Sequence, residues 1–330
     1  MGDLVGNDLC MSTSCTKRGT SKNRSLRYTT KSNRIDPIGF RVRVLWHAPT
    51  MRTLTLALPE TYPTPVVKWL GGKSNLIDQL VPLLPADVRS RRWFEPFAGG
   101  AALFFRLLPT RAVLSDTCAD LIGLYEVLQM GLSEEFRSKC VHLLYPVMNT
   151  RAEFENVRRM FNAQKQQNNI ERAAWFLYLN RACFNGLHRV NSKVEFNAAF
   201  GDGKPITFDL DNMRVCSTAL RSAGLHYEGF EGVLARAQAG DAVYFDPPYL
   251  GTFTGYSGTF GIDEHRRLRD VFRTLDERGC IVVLSTNDDS VMRMLYEGFD
   301  CTVVQARRSV GSLGSSRGSV DELVIRNKHR

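Results

Sequence analysis

Apolar positions along the chain switch between two periods. From Val66 onward, apolar runs of strand length alternate with stretches whose apolar residues recur every three or four positions. KSNLIDQLVPLL (73–84) has helical spacing throughout. RRWFEPF (91–97) predicts a short strand leading into Ala98-Gly99-Gly100, and AALFFRLL (101–108) a buried helix. RAVLSD (111–116) predicts a strand and ADLIGLYEVLQM (119–130) a helix. This β-turn-α-β-α order opens a doubly wound α/β sheet.

Residues 131–235 break that rhythm. RAEFENVRRMF (151–161) and IERAAWFLYLNRA (170–182) predict helices, and a Gly/Asn/Lys-rich section (185–205) predicts loops. No core strand is expected there, so the segment reads as an inserted, mainly helical lobe. The rhythm then resumes with AVYFD (242–246) and CIVVLS (280–285) as strands. Between them, residues 263–279 form an amphipathic helix with Leu268, Val271, Phe272 and Leu275 on one face, Asp263 as N-cap and Gly279 as stop. CTVVQARR (301–308) and DELVIRN (321–327) predict closing strands around a Gly/Ser-rich loop (309–319).

Residues 1–60 show neither period and predict a basic, disordered extension, apart from an alternating FRVRVLW (Phe40 to Trp46). Met51 opens a more regular stretch and is a candidate for the true start. The organisation expected is therefore a tail (1–60), a catalytic domain built from 61–130 and 236–330, and a lobe from 131–235.

Charge sharpens this picture only a little. The net charge of +9 favours a polyanionic partner, nucleic acid before an acidic membrane. Residues 1–60 hold ten Lys/Arg and four Asp/Glu, or +6, so the remaining 270 residues carry +3. The basic signal belongs mostly to the tail. The eight cysteines include no C-x-x-C, and no His pair sits at ligand spacing, so no metal is expected and reduced thiols in a cytosol are. No apolar run approaches the roughly 20 residues of a membrane span, and MGDLVGNDLC, with two Asp and no basic residue, is not a secretory signal.

Three motifs carry candidate chemistry. In Phe94-Glu95-Pro96-Phe97-Ala98-Gly99-Gly100, a strand enters a glycine turn before a helix, and Asp116 ends the next strand. Glycines let backbone approach a ligand, and a carboxylate at that strand end can accept from ribose hydroxyls. The absence of G-x-G-x-x-G and of G-x-x-x-x-G-K-[ST] disfavours a nicotinamide cofactor and a P-loop. Asp246-Pro247-Pro248-Tyr249 follows a strand, where doubly wound folds bind ligands. An Asp oxygen and a proline carbonyl are two acceptors for an exocyclic amine, and Tyr249 offers a face for a planar ring. Lys68-Trp69-Leu70-Gly71-Gly72-Lys73 places an aromatic ring and a cation at a helix start.

Together these motifs resemble the Dam-like (class alpha) DNA adenine methyltransferases, whose K-W-x-G-G-K, E-P-F-x-G and D-P-P-Y occur in this order, with the target-recognition region before D-P-P-Y. The resemblance spans residues 66–328. It includes Phe176 to Arg181, Phe184 to Leu187, Glu195 to Asn197, Phe200-Gly201, Ser285 to Asp288, Arg307 to Ser309 and Asp321 to Leu323. It implies a Rossmann-like S-adenosylmethionine-dependent methyltransferase sheet with an inserted DNA-recognition lobe, transferring methyl to adenine N6 after base flipping. It implies donor contacts from Trp69, Lys73, Phe97, Gly99, Asp116 and Asp246, and a grip on the flipped adenine from Asp246, Pro247 and Tyr249. It implies DNA contacts from Lys68, Phe184, Asn185, Leu187 and Arg189, with Arg307, Arg308 and Arg317 on phosphates.

The implied partners are double-stranded DNA and, in a restriction-linked member, a cognate endonuclease. The implied state is a monomer in a bacterial or phage-infected cytoplasm. Three departures stand out: Ala101 where the family's loop carries a second glycine, Ala199 where a proline reads a thymine in GATC-type members, and Phe184 for Tyr. GATC is the first target sequence to test. Alternatives are a non-catalytic DNA-binding relative, or the same chemistry on RNA adenine or a cytosine amine.

Overall fold

The structure is a computed structural model; it describes residues 62–328 apart from 145–148, 165–168, 251–252, 255–257 and 308–318. The expected tail, with its Phe40–Trp46 strand and Met51, lies outside the described residues, as does most of the 309–319 loop.

Seven strands form one sheet: β1 (Arg92–Glu95), β2 (Arg111–Asp116), β3 (Ala223–Tyr227), β4 (Ala242–Phe245), β5 (Ile281–Asn287), β6 (Asp300–Arg307) and β7 (Ser319–Arg326). Their spatial order is β3-β2-β1-β4-β5-β7-β6. The first five are parallel, and β7 inserts antiparallel between β5 and β6. The winding direction reverses between β1 and β4, so the crevice for a ligand opens at their carboxyl ends.

The helices are α1 (Ile77–Leu80), α2 (Ala102–Leu107), α3 (Ala119–Gln129), α4 (Glu134–Leu143), α5 (Arg151–Ala163), α6 (Ile170–Ala182), α7 (Leu210–Leu220), α8 (Ile262–Glu277) and α9 (Ser290–Leu295). Strand alternation divides them. Trp93, Tyr244, Val283 and Val324 point into a core built with α1 to α7. Their neighbours Phe94, Val243, Phe245, Val282, Leu284, Leu323 and Ile325 point into a second core closed by α8 and α9. A sheet covered on both faces needs apolar side chains at every central position, which explains the continuous strand runs. The α8 stripe Leu268, Val271, Phe272 and Leu275 is buried as its spacing predicts.

Three expectations need correction. Residues 131–235 are expected to hold no core strand, yet β3 within them pairs in parallel with β2, from Ala112↔Ala223 to Asp116↔Tyr227. Helix α7, just before it, packs into the sheet's first core through Met213, Cys216 and Leu220. The helix expected over 73–84 is broken into 3-10 turns at Lys73–Asn75 and Val81–Leu83 around the single turn of α1. Pro82 donates no amide, so the α-ladder cannot run through it. Finally, Gly261 rather than Asp263 caps α8; its N–H donates to Glu264 Oε2 at 2.9 Å.

Candidate active site

The site grows from the carboxyl ends of the parallel strands. Asp116, last residue of β2, is buried and accepts the Gly99 N–H on Oδ2 and the Cys118 N–H on Oδ1, each at 2.9 Å. These bonds pin the glycine turn after β1. Tyr125 of α3 donates its hydroxyl to the Gly99 carbonyl at 2.6 Å, closing the clamp. Burial pushes the Asp116 carboxyl up to about 6, against the pull of the backbone amides. Backbone amides of Gly99, Cys118 and Thr117 engage the carboxylate, which with about four lone-pair sites keeps acceptor capacity for a further donor.

Gly99 cannot be replaced freely. Its φ is +45°, and a Cβ there would lie 2.6 Å from Trp69 Cδ1. The Trp69 ring therefore packs on bare backbone, and it also stacks on His188 of the lobe, with centroids 5.8 Å apart. Phe97 stacks on Phe230 at 5.5 Å and meets Phe245 and Phe260 edge-on, which anchors the turn to the second core. Ala101, the departure from the family's glycine, holds a left-handed φ of 52° at the entry to α2. The methyl costs backbone strain there rather than space.

Asp246 follows β4. Its Oδ1 lies 2.7 Å from the Nζ of Lys73, and that ammonium lies 3.0 Å from Glu322 Oε1 and donates to the Gly71 carbonyl at 3.0 Å. Tyr249 donates its hydroxyl to Glu322 Oε2 at 3.1 Å, and its ring centroid is 5.2 Å from the same ammonium. Tyr244 of β4 and Ser285 of β5 share a 2.6 Å hydrogen bond, and Ser285 donates to Asp246 Oδ1 at 3.4 Å.

Two carboxylates thus share one cation in a nearly dry site. Burial pushes Asp246 up to about 6; Lys73 pulls it down and Glu322 adds to the rise. Burial would lower Lys73, but Asp246 and Glu322 outweigh it and hold the ammonium protonated. Beside them, burial pushes Glu95 up to about 8, although its carboxyl accepts the Trp93 indole N–H at 2.9 Å.

The structure brings Asp246, Tyr249 and Lys73 together and puts the Asp116 clamp on the same sheet edge. The sequence alone does not mark Glu322, Ser285 and Tyr244 as site residues. Ser285 and Glu322 lie inside motifs that carry the resemblance, but their placement depends on β5 and β7 pairing, which no local spacing announces.

The lobe residues are held by a different device. Asn180 of α6 is fully buried; its Oδ1 accepts the Lys68 N–H and its Nδ2 donates to the Lys68 carbonyl, both at 2.8 Å. Gly186, at φ +67°, lets the Phe184–Gly186 turn press on Lys68, where a Cβ would meet the lysine's Cβ at 2.5 Å. Lys68 and Phe184 are consequently neighbouring exposed residues, Phe184 at 58% and flanked by Asn185 at φ 55°. Phe184, Leu187, Arg189, Ala198 and Ala199 line an apolar pocket of about 100 Å³. Arg189 donates Nε to Asn197 Oδ1 and Nη2 to the Asn197 carbonyl, both at 2.9 Å, which fixes the guanidinium plane. Arg307 closes β6, whereas Arg308 and Arg317 lie outside the described residues. Among the described residues no helix is long and apolar enough to cross a membrane.

Residues 69–310 match the model of the D12 class N6 adenine-specific DNA methyltransferases. The type II methyltransferase M1.LlaDCHI of Lactococcus lactis subsp. cremoris is 35% identical over 276 residues, covering 80% of this chain and 95% of the relative. The type II methyltransferase M.MjaIII of Methanocaldococcus jannaschii is 35% identical over 284 residues, with 80% and 98% covered. The DNA adenine methylase of Escherichia coli strain K12 is 33% identical over 264 residues, with 78% and 93% covered. The chain belongs to the D12 class of N6 adenine-specific DNA methyltransferases.

Proposed function

We propose that this adenine-specific DNA methyltransferase moves the methyl group of S-adenosylmethionine to the N6 amine of an adenine flipped out of a short duplex site, with GATC the first site to test. The observation that carries this is the pairing of two carboxylates on one sheet edge: Asp116 clamping the glycine turn and Asp246 two strands away, held by Lys73.

The donor set fits that cofactor. Asp116 retains acceptor capacity suited to ribose hydroxyls, and the turn at Gly99 is kept free of a side chain. Trp69, Phe97, Gly99 and Asp116 would hold it, with Lys73 and Asp246 at its reactive end. S-adenosylmethionine supplies an electrophilic methyl on a sulfonium.

The protein's own part is positional and electrostatic. Asp246 and the Pro247 carbonyl accept the two hydrogens of the adenine amine. That draws the nitrogen lone pair out of ring conjugation and aims it for in-line attack. Tyr249 stacks on the extruded ring. As the amine gains the methyl it becomes cationic, and the half-buried negative charge of Asp246 favours that change and receives the departing proton or passes it to water. The carboxylate form is the active acceptor, so turnover rises with pH through the Asp246 value of about 6.

In the lobe, Phe184 and Asn185 enter the duplex where the base leaves, and Leu187, Arg189 and Lys68 contact base edges. Arg307, Arg308 and Arg317 contribute phosphate contacts. The partner is duplex DNA, bound by a cytoplasmic monomer. Two relatives bear type II names, which supports asking whether an endonuclease of the same specificity accompanies the chain.

The test is incubation with methyl-labelled S-adenosylmethionine and unmethylated duplex, followed by digestion to nucleosides. Label on N6-methyladenine is expected. Label on cytosine, or DNA binding without transfer, overturns the reading. Sequencing methylated sites in a genome expressing the protein then reports the target sequence.

A further inference from the structure

We infer that Glu322 is a positioning residue for methyl transfer: it fixes the Lys73 ammonium against Asp246 and the Tyr249 ring over the same pocket, so that acceptor and stacking face are set before the base arrives. The inference rests on the proposed reading of the Asp246 pocket and extends it to a residue that touches neither base nor donor.

Glu322 is unusually well placed for this. It sits inside β7, in register with Asn287 of β5 on one side and Val304 of β6 on the other. A strand paired on both edges gives the carboxylate a rigid base. Only 2% of the residue is exposed, so its charge is poorly screened by water. Its two oxygens go to different partners: Oε1 lies 3.0 Å from Lys73 Nζ, and Oε2 accepts from the Tyr249 hydroxyl at 3.1 Å. Those partners come from the turn after Gly71-Gly72 and from the residues directly after β4, and neither Lys73 nor Tyr249 lies in a strand. One buried carboxylate thus ties two loops to the sheet.

Its charge matters as well as its shape. Asp246 contacts Lys73 and Ser285 directly, with Glu322 and Tyr249 acting on it at longer range, Tyr244 behind Ser285 and Glu95 on the neighbouring strand β1. Lys73 alone on Asp246 would neutralise the acceptor. With Glu322 on the other side, the cation is shared and Asp246 keeps negative character toward the adenine amine. Removing the Glu322 charge therefore makes Asp246 easier to ionise and a weaker acceptor once ionised.

The experiment compares wild type, Glu322→Gln, Tyr249→Phe and the double variant, with pH–rate profiles at saturating S-adenosylmethionine and duplex. Glu322→Gln preserves the side-chain shape. Its acid limb is expected to move to lower pH by about one unit. Its kcat at pH 8 should fall about tenfold, with KM for duplex changing less than about twofold. Tyr249→Phe should lose several-fold in kcat, and the double variant should lose less than the product of the two singles, because the residues share one interaction.

An acid limb that stays in place in a folded Glu322→Gln protein, or strictly multiplicative losses, overturns the inference alone. Should Glu322→Gln fail to fold, Tyr249→Phe decides: a several-fold kcat loss supports the clamp and an unchanged kcat overturns it. A wild-type chain that does not methylate adenine overturns the proposed function and this inference together.

Discussion

The carboxylate pocket and the loop proposed to read DNA solve opposite problems with the same chain. In the pocket, Lys73 and Glu322 are 4% and 2% exposed, and charge is packed against charge at the end of a paired sheet. In the loop after α6, Phe184 and Val194 are 58% and 69% exposed, and the described regular structure is a 3-10 turn at Phe184–Gly186 with the isolated bridges Cys183↔Phe200 and Val190↔Phe196. A reacting group gains from a dry, preorganised setting, where fixed charges act at full strength. A group proposed to read bases must be presented to a partner, and both such residues are braced from behind: Asn197 holds the Arg189 side chain and Asn180 the Lys68 backbone. The difference teaches that rigidity here comes from strand pairing in one region and from side-chain-to-backbone hydrogen bonds in the other.

The sharpest way to break the contrast is Asp246→Ala. It should lower methyl transfer by at least about a hundredfold while duplex binding stays near wild type, read by labelled transfer beside an electrophoretic mobility assay. Equal losses in binding and turnover would mean that the pocket also carries recognition.

Next in size is the pH dependence of stability. Glu95 is raised to about 8 by burial. A carboxyl with a raised folded value contributes stability in full below its unfolded value near 4.5, and that contribution is lost as pH rises through about 8. The slope over that window is about 1.4 kcal/mol per pH unit per proton. Glu95→Gln should therefore flatten the fall in melting temperature between pH 5 and 8, measured by thermal denaturation in matched buffers. A slope equal to wild type would show that this carboxyl does not titrate in the window.

Arg189→Ala moves to the loop. Loss of a guanidinium braced for a base edge should relax discrimination at one base pair by about 1–3 kcal/mol, with little effect on Tm. The ratio of kcat/KM on the preferred duplex to that on single-base variants reads it. An unchanged ratio would remove Arg189 from the reading set.

The smallest effects separate buried from exposed strain. Ala101 and Val194 both hold left-handed backbone, at φ 52° and 59°. Relief of that strain by glycine gains about 1–2 kcal/mol, less roughly 0.4–1 kcal/mol of added unfolded-state entropy. Val194 is exposed, so Val194→Gly should stabilise by about 0.5–1 kcal/mol. Ala101 is buried, and losing its methyl costs about 0.8 kcal/mol, which leaves Ala101→Gly near neutral. Denaturant titration of both variants checks the ordering.

Much of the architecture was legible from pattern. RAVLSD and IERAAWFLYLNRA carry their element bounds in full, because one is a short apolar run ending in Asp116 and the other a long apolar-rich helix with Asn169 as cap. AGLHY (223–227) was missed because an edge strand is half-exposed and carries no apolar run. The site was half legible. D-P-P-Y after β4 and Asp116 at the end of β2 were visible as local chemistry, and the resemblance attached Lys73 to the donor.

The amino-acid order by itself determined the α/β alternation, the glycine turn, the acceptor motif and the family. The first two follow from periods of two and 3.6 and from backbone limits felt within a few residues, and the family from the order of its three motifs. Only the tertiary structure decided that β7 threads between β5 and β6 and sets Glu322 beside Lys73, Tyr249 and, through Lys73, Asp246. A charge network of that kind depends on distance and exclusion of water, and neither is encoded in the spacing of any one segment.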